Sequence, residues 1–97
     1  MFSHGIIVRT SDAHPIYDIT TKKIINKSKN IRIGNHVWIG QNATILKNVQ
    51  IPDNCIIGAS SLVTKSFNKN NVIIAGSPAK IVKSNVNWDR SAINYNV

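Results

Sequence analysis

His14 is a histidine whose setting suggests proton transfer near neutral pH, although taken alone it reads as a solvated loop histidine. It lies in RTSDAHPIYD, Arg9 to Asp18, between Asp12 and Asp18, two of the chain's four acidic residues, all aspartates. A neutral imidazole can accept the proton of a hydroxyl while that hydroxyl attacks an electrophile, which is worth about 10² to 10⁴ in rate. A neighbouring carboxylate can hold the ring in the right tautomer, and Asp12 is the nearest in sequence; the same aspartate would serve equally well as a turn cap. The other histidines are His4 and His36. A zinc centre needs three converging ligands and an open fourth position, and these spacings offer no close pair, so no metal is expected.

A base does nothing until something holds it still, and the rest of the chain carries a regular pattern. Stepping by six from Ile33 gives Ile39, Ile45, Ile51, Ile57 and Val63, all branched aliphatics. Four residues after each of the first five comes a small or β-branched residue: Val37, Ala43, Val49, Cys55 and Ser61. Asparagine recurs three after the aliphatic at Asn42, Asn48 and Asn54. It tolerates left-handed backbone at a tight turn. A period of six is not helical, but it is a multiple of two, so short strands joined by corners satisfy it. Three steps make a triangular coil of eighteen residues, with aliphatics stacked inward in columns. Cys55 falls in the small inward set and is expected to pack in the core.

Phe2 and Val8 are also six apart, but Val8 to Ile33 is 25 residues, which breaks the period. A single domain over 1–97 is therefore expected, with a partial first coil at 2–12, an inserted loop at 13–30, coils at 31–68 and a C-terminal segment at 69–97. His14 lies where the loop leaves the coil. Trp38 shares its register with Thr44, Gln50, Ile56 and Leu62, an outward one, and eighteen residues on, Ile56 falls above it. An outward apolar strip of this kind marks an interface or a ligand cleft. His36, at a corner within GNHVWIG, is expected to be solvated, and His4 to border the acceptor. Ser77–Pro78 is expected to start a short helical turn.

The stretches IGNHVWIGQNATILKNVQIPDNCIIGASSLVTK (Ile33 to Lys65) and AGSPAKIV (Ala75 to Val82) resemble the hexapeptide-repeat acyltransferases. RTSDAHPIYD resembles the motif of the branch that O-acetylates bacterial surface polysaccharides. The resemblance implies an all-β fold, a left-handed parallel β-helix of about two to three coils with a protruding active-site loop and a C-terminal tail. It implies transfer of an acetyl group from acetyl-CoA to a saccharide hydroxyl, with His14 as general base and Trp38 at the acyl end of the donor. It further implies a homotrimer with the active sites between subunits. Ala59, Thr64 and Gly76 would line the pantetheine arm, and Lys65, Lys80 and Lys83 would meet the donor phosphates.

Composition limits the alternatives. Ninety-seven residues can bury only a modest core, which oligomerisation would supplement. No apolar run approaches the ~20 residues of a membrane span, and no signal peptide is visible. The single cysteine fits a reducing cytoplasm. The net charge of +8 suits a phosphorylated donor. The basic residues lack the interleaved aromatics of a nucleic-acid platform, so no nucleic acid is expected. Family members run longer, with further N-terminal coils. A second reading is therefore a truncated, catalytically weak β-helix that only oligomerises or binds a partner. The acceptor, and whether it offers an oxygen or a nitrogen, stays open.

Overall fold

The computed structural model describes residues 1–91, and within them the chain winds as a left-handed parallel β-helix of two-residue strands. The strands are β1 (Ile7–Val8), β2 (Arg32–Ile33), β3 (Trp38–Ile39), β4 (Thr44–Ile45), β5 (Gln50–Ile51), β6 (Ile56–Ile57) and β7 (Leu62–Val63). Two longer strands follow, β8 (Val72–Gly76) and β9 (Ala79–Ser84). They stack into three sheets, one per side of a prism: β1-β4-β7, β2-β5 and β3-β6-β8-β9. All pairs are parallel except β8 with β9.

The six-residue period explains this winding. In Val37-Trp38-Ile39 the first and third side chains point inward and are buried, while the middle one points out. The next residues must turn the chain, and the residue three after each aliphatic from Ile33 to Ile57 adopts left-handed backbone. His36, Asn42, Asn48, Asn54 and Ser60 have φ of 56°, 60°, 65°, 57° and 57°. Asparagine carries this conformation at little cost, which is why it recurs there.

The core is two interleaved sets of columns. Ile39 lies under Ile57, which lies under Ile74; Ile45 lies under Val63, and Ile33 under Ile51. Val37, Ala43, Val49, Cys55 and Ser61 fill the space between them, all buried. Burial pushes the Cys55 thiol pKa up, as expected for a packing residue. The N-terminal end is looser: Val8 pairs with Ile45 and Phe2 bridges to Ile39, yet Phe2 and Val8 stay exposed.

Ser77–Pro78 does not begin a helical turn. The two residues form the tip of the β8–β9 hairpin, where Gly76, at φ +109°, faces Ala79 across the ladder. β8 is already committed to pairing with β6, so reversing into β9 continues the sheet, whereas a helical turn would leave the strand edge open. Of the C-terminal segment expected over 69–97, residues 92–97 lie outside the described ones.

Candidate active site

The loop between β1 and β2 is closed at its base: Arg9 N–H donates to Ile45 O (2.9 Å) and Lys29 N–H to Thr10 O (3.0 Å). Its outer part is a small hairpin in which Tyr17 bridges Ile24 and Ile25 N–H donates to Ile16 O. Asp18 turns the tip by accepting the backbone N–H groups of Thr21 (2.8 Å) and Thr20 (2.9 Å), which hold its carboxyl below the usual carboxylate range. His14 is exposed on the inner arm of this loop, beside a pocket of about 300 Å³ that Ser11, Pro15, Ile24, Asn26 and Lys27 also line.

Asp12 does not hold the His14 ring. Its Oδ2 takes Lys47 Nζ at 2.7 Å and Asn26 Nδ2 at 3.0 Å. The Lys47 ammonium, with the Asn26 amide behind it, keeps the Asp12 carboxyl below its ordinary range. Asn26 is the residue that sequence reasoning missed. Besides Asp12 it donates to His14 O (2.8 Å), and its Oδ1 accepts Ile16 N–H. One amide thus fixes the backbone on both sides of Pro15. Nothing in the local sequence signals this, because Asn26 is twelve residues from His14.

Trp38 faces outward from the β3-β6-β8-β9 sheet with Ile56 paired above it. The strip is less open than the sequence suggests, since both residues are half-buried. Part of the cover is Trp88, whose ring lies 6.0 Å from that of Trp38 at 51°. His36 is exposed, as expected for a corner residue, and Trp88 stacks on one face of its ring at 4.0 Å and 4°. His36 Nδ1 lies 3.0 Å from Asn54 Oδ1. Trp38 Nε1 is buried and, among the described residues, has no acceptor. An unpaired buried donor costs about 1–3 kcal/mol, which the packing around the Trp38 ring must outweigh.

The remaining candidates divide between two corners of the prism. Ala59 and Gly76 lie on the corner between the Trp38 sheet and the β1-β4-β7 sheet. Lys80 stands next to them across the hairpin, paired with Ala75, and Lys83 lies further along β9, paired with Ile73. Small residues are required on this corner: a Cβ on Gly40 would sit 2.7 Å from Ala59 N, and one on Gly58 would sit 2.9 Å from Ala75 Cβ. Thr64 and Lys65 follow β7 on the next corner, where the His14 loop leaves the coil and Lys47 anchors Asp12. Lys65 Nζ lies 5.8 Å over the Phe67 ring. His4 occupies the corner before β1, its carbonyl accepting Asn42 N–H (2.8 Å), one side of the prism away from the loop. A single chain therefore groups Trp38, Ala59, Gly76, Lys80 and Lys83 on one side. It groups Asp12, His14, Thr64 and Lys65 on another.

One large groove went unassigned by sequence reasoning. It measures about 700 Å³ and lies outside β2-β5, lined by Arg32, Gln50, Asp53, Ser66, Phe67 and Asn68 among others. Among the described residues no helix is long and apolar enough to cross a membrane.

Comparison with known proteins agrees with the winding. Residues 30–65 match the family model described as bacterial transferase hexapeptide (six repeats). A polysialic acid O-acetyltransferase of Neisseria meningitidis is 51% identical over 90 residues, 93% of this chain and 42% of that protein. The crystal structure of the polysialic acid O-acetyltransferase OatWY superposes with a TM-score of 0.91 at 49% identity, over 94% of this chain and 43% of that one. A galactoside acetyltransferase in complex with coenzyme A superposes with a TM-score of 0.65 at 31% identity, over 86% of this chain and 44% of that one. The chain spans 29% to 42% of the length of the first curated relatives it matches. Its coil, its repeats and its relatives agree, and the chain belongs to the hexapeptide-repeat acyltransferase superfamily.

Proposed function

We propose that the protein is an acetyl-CoA-dependent O-acetyltransferase acting on a saccharide hydroxyl. The observation that carries this reading is the partition of the candidate residues: the His14 corner and the Trp38 side complement each other but lie apart in one chain. A homotrimer would set the His14 corner of one subunit against the Trp38 side of the next and complete the site there. The loop offers apolar surface for that contact, with Ile19 80% and Ile25 66% exposed. The reaction would take place in the cytoplasm, where acetyl-CoA is made.

His14 accepts the proton of the acceptor hydroxyl as its oxygen attacks the thioester carbon. The C–S bond breaks, and the departing coenzyme A thiolate takes the proton back from the imidazolium. Trp38 lies at the acyl end of the donor. Ala59, Thr64 and Gly76 leave room for the pantetheine arm, and Lys65, Lys80 and Lys83 meet the phosphates. Asp12 supports the base indirectly, by anchoring its loop.

The acceptor is an acidic saccharide. Relatives at up to 51% identity are named for polysialic acid, the net charge here is +8, and Lys22, Lys23, Lys27 and Lys29 lie on the same loop as His14.

The test is thiol release from acetyl-CoA with polysialic acid and with a neutral galactoside. His14→Ala should lower kcat by about 10² or more, with acetyl-CoA affinity and folding retained. Raising salt should increase KM for the polyanion far more than for the neutral sugar. A chain that binds acetyl-CoA but releases no thiol with any acceptor, at any pH, would instead be a module that only oligomerises or binds.

A further inference from the structure

The path of the chain after β9 has no role in the coil. Beyond Ser84 it turns at Asn85 (φ 62°) and runs down the corner that carries Asn71, Asn54 and His36. Val86 is tied to Asn71 in both directions: Val86 N–H donates to Asn71 O (3.1 Å) and Asn71 Nδ2 donates to Val86 O (3.0 Å). Two residues on, Trp88 reaches His36, nearly two coils lower. Its Nε1 donates to His36 O at 2.9 Å, its ring stacks flat on the imidazole, and its other neighbour is the Trp38 ring.

His36 is unusual for its place. At the equivalent corners the repeat uses Asn42, Asn48, Asn54 and Ser60, all with positive φ. Asparagine would serve the turn as well or better. What the imidazole adds is a flat face for Trp88. The indole of Trp88 is thus held by two contacts that have no part in the coil, and it rests on the one outward aromatic of the coil, whose own N–H is buried without a partner.

We propose that Trp88 is a positioning residue for Trp38, clamped by His36 so that the Trp38 indole is held in one orientation at the acyl end of the bound donor. This rests on the assignment of Trp38 to the acyl end of the donor. The geometry fits the task. Two rings 6.0 Å apart at 51° are in the range of tilted aromatic pairs, which restrict each other's rotation. Without Trp88 the Trp38 ring would lose part of its cover and sample a wider arc, so the surface it offers the acyl group would no longer be fixed.

Trp38 and Trp88 are the only tryptophans in the chain, so Trp88→Ala and Trp88→Phe each leave Trp38 as sole fluorophore. Trp88→Ala should red-shift the Trp38 emission and lower its anisotropy, and Trp88→Phe should do so less. His36→Asn keeps the turn residue of the other repeats and should weaken the clamp without unfolding the coil. Trp88→Ala and His36→Asn should each lower kcat by about tenfold, below the ~10² that misplacing a group by ~1 Å can cost. In a Trp38→Phe background the same changes should cost less than about twofold, because they act through the Trp38 indole. Losses that multiply independently in that background would overturn the proposal, and so would a Trp38 emission unchanged by removing Trp88. A chain that transfers no acetyl group, yet loses its ordered Trp38 on removal of Trp88, would sink the transferase reading and leave the clamp standing.

Discussion

Asn26 decides how firmly His14 is held, and its bonds to Asp12, His14 O and Ile16 N–H can be removed together. Asn26→Ala should lower kcat by about tenfold, equivalent to ~1.4 kcal/mol of activation free energy. The loop lies outside the columns, so Tm should move by less than the ~4 °C that 1 kcal/mol of global stability brings in a chain this size. A large fall in Tm would mean that the loop supports the coil. Asp12 gives a second readout at this scale. Its carboxyl pKa is depressed in the fold, chiefly by the bond from Lys47, then by Asn26. The ion pair is therefore complete above the unfolded value of ~3.9 and is lost as pH falls through the folded value below it. Lys47→Met should raise the Asp12 midpoint in an NMR titration; an unmoved midpoint would mean that Lys47 is not its anchor in solution. The sequence singled out His14 through its acidic surroundings and Trp38 through the register of the repeat. Asn26 and Trp88 were not legible, because each acts across 10 or more residues through bonds that no periodicity records.

Each two-residue strand sets one side chain against the core and its neighbour against solvent, so adjacent positions should respond oppositely to charge. Ile51 is 1% exposed, and Ile51→Asp puts an unpaired carboxylate in a stacked column. The loss should be about 4 kcal/mol or more, enough to unfold or dissociate the protein. Gln50→Asp is exposed and should stay within about 0.5 kcal/mol. Equal denaturant midpoints for the two variants would refute the register. Gly40→Ala tests the small-residue corner, since its Cβ would meet Ala59 N at 2.7 Å and Ile57 O at 2.8 Å. Neither backbone atom can move without displacing the coil above, so this methyl group should destabilise the protein as an overpacked core does, by about 1–3 kcal/mol. The elements were legible wherever the six-residue rule ran unbroken, from Ile33 to Val63. They stopped being legible at Ser77–Pro78, because Pro fits the start of a helical turn and the tip of a hairpin alike, and only the existing strand β6 decides between them.

For the whole molecule, the expected particle is a trimer. Light scattering at micromolar concentration should give three times the chain mass, and Ile19→Ser with Ile25→Ser should shift it toward monomer. Monomer alone from the unaltered chain would leave the divided site without a partner. The strand pairs also carry a consequence for how such a protein can change. Trp38 pairs with Ile56 eighteen residues on, and Ile56 with Ile73 seventeen on, whereas Ile7 pairs with Thr44 thirty-seven on. An insertion of six within a coil would turn everything after it by a third of a revolution and carry the Trp38 side away from its neighbour. The loop escapes this arithmetic. It leaves at Arg9 and is stitched shut by Lys29 before β2 begins, so the coil resumes in phase whatever lies between. The coil is metrically rigid and the loop is metrically free. The segment proposed to meet the acceptor can therefore lengthen, shorten or change its charge without resetting the geometry of the proposed donor side.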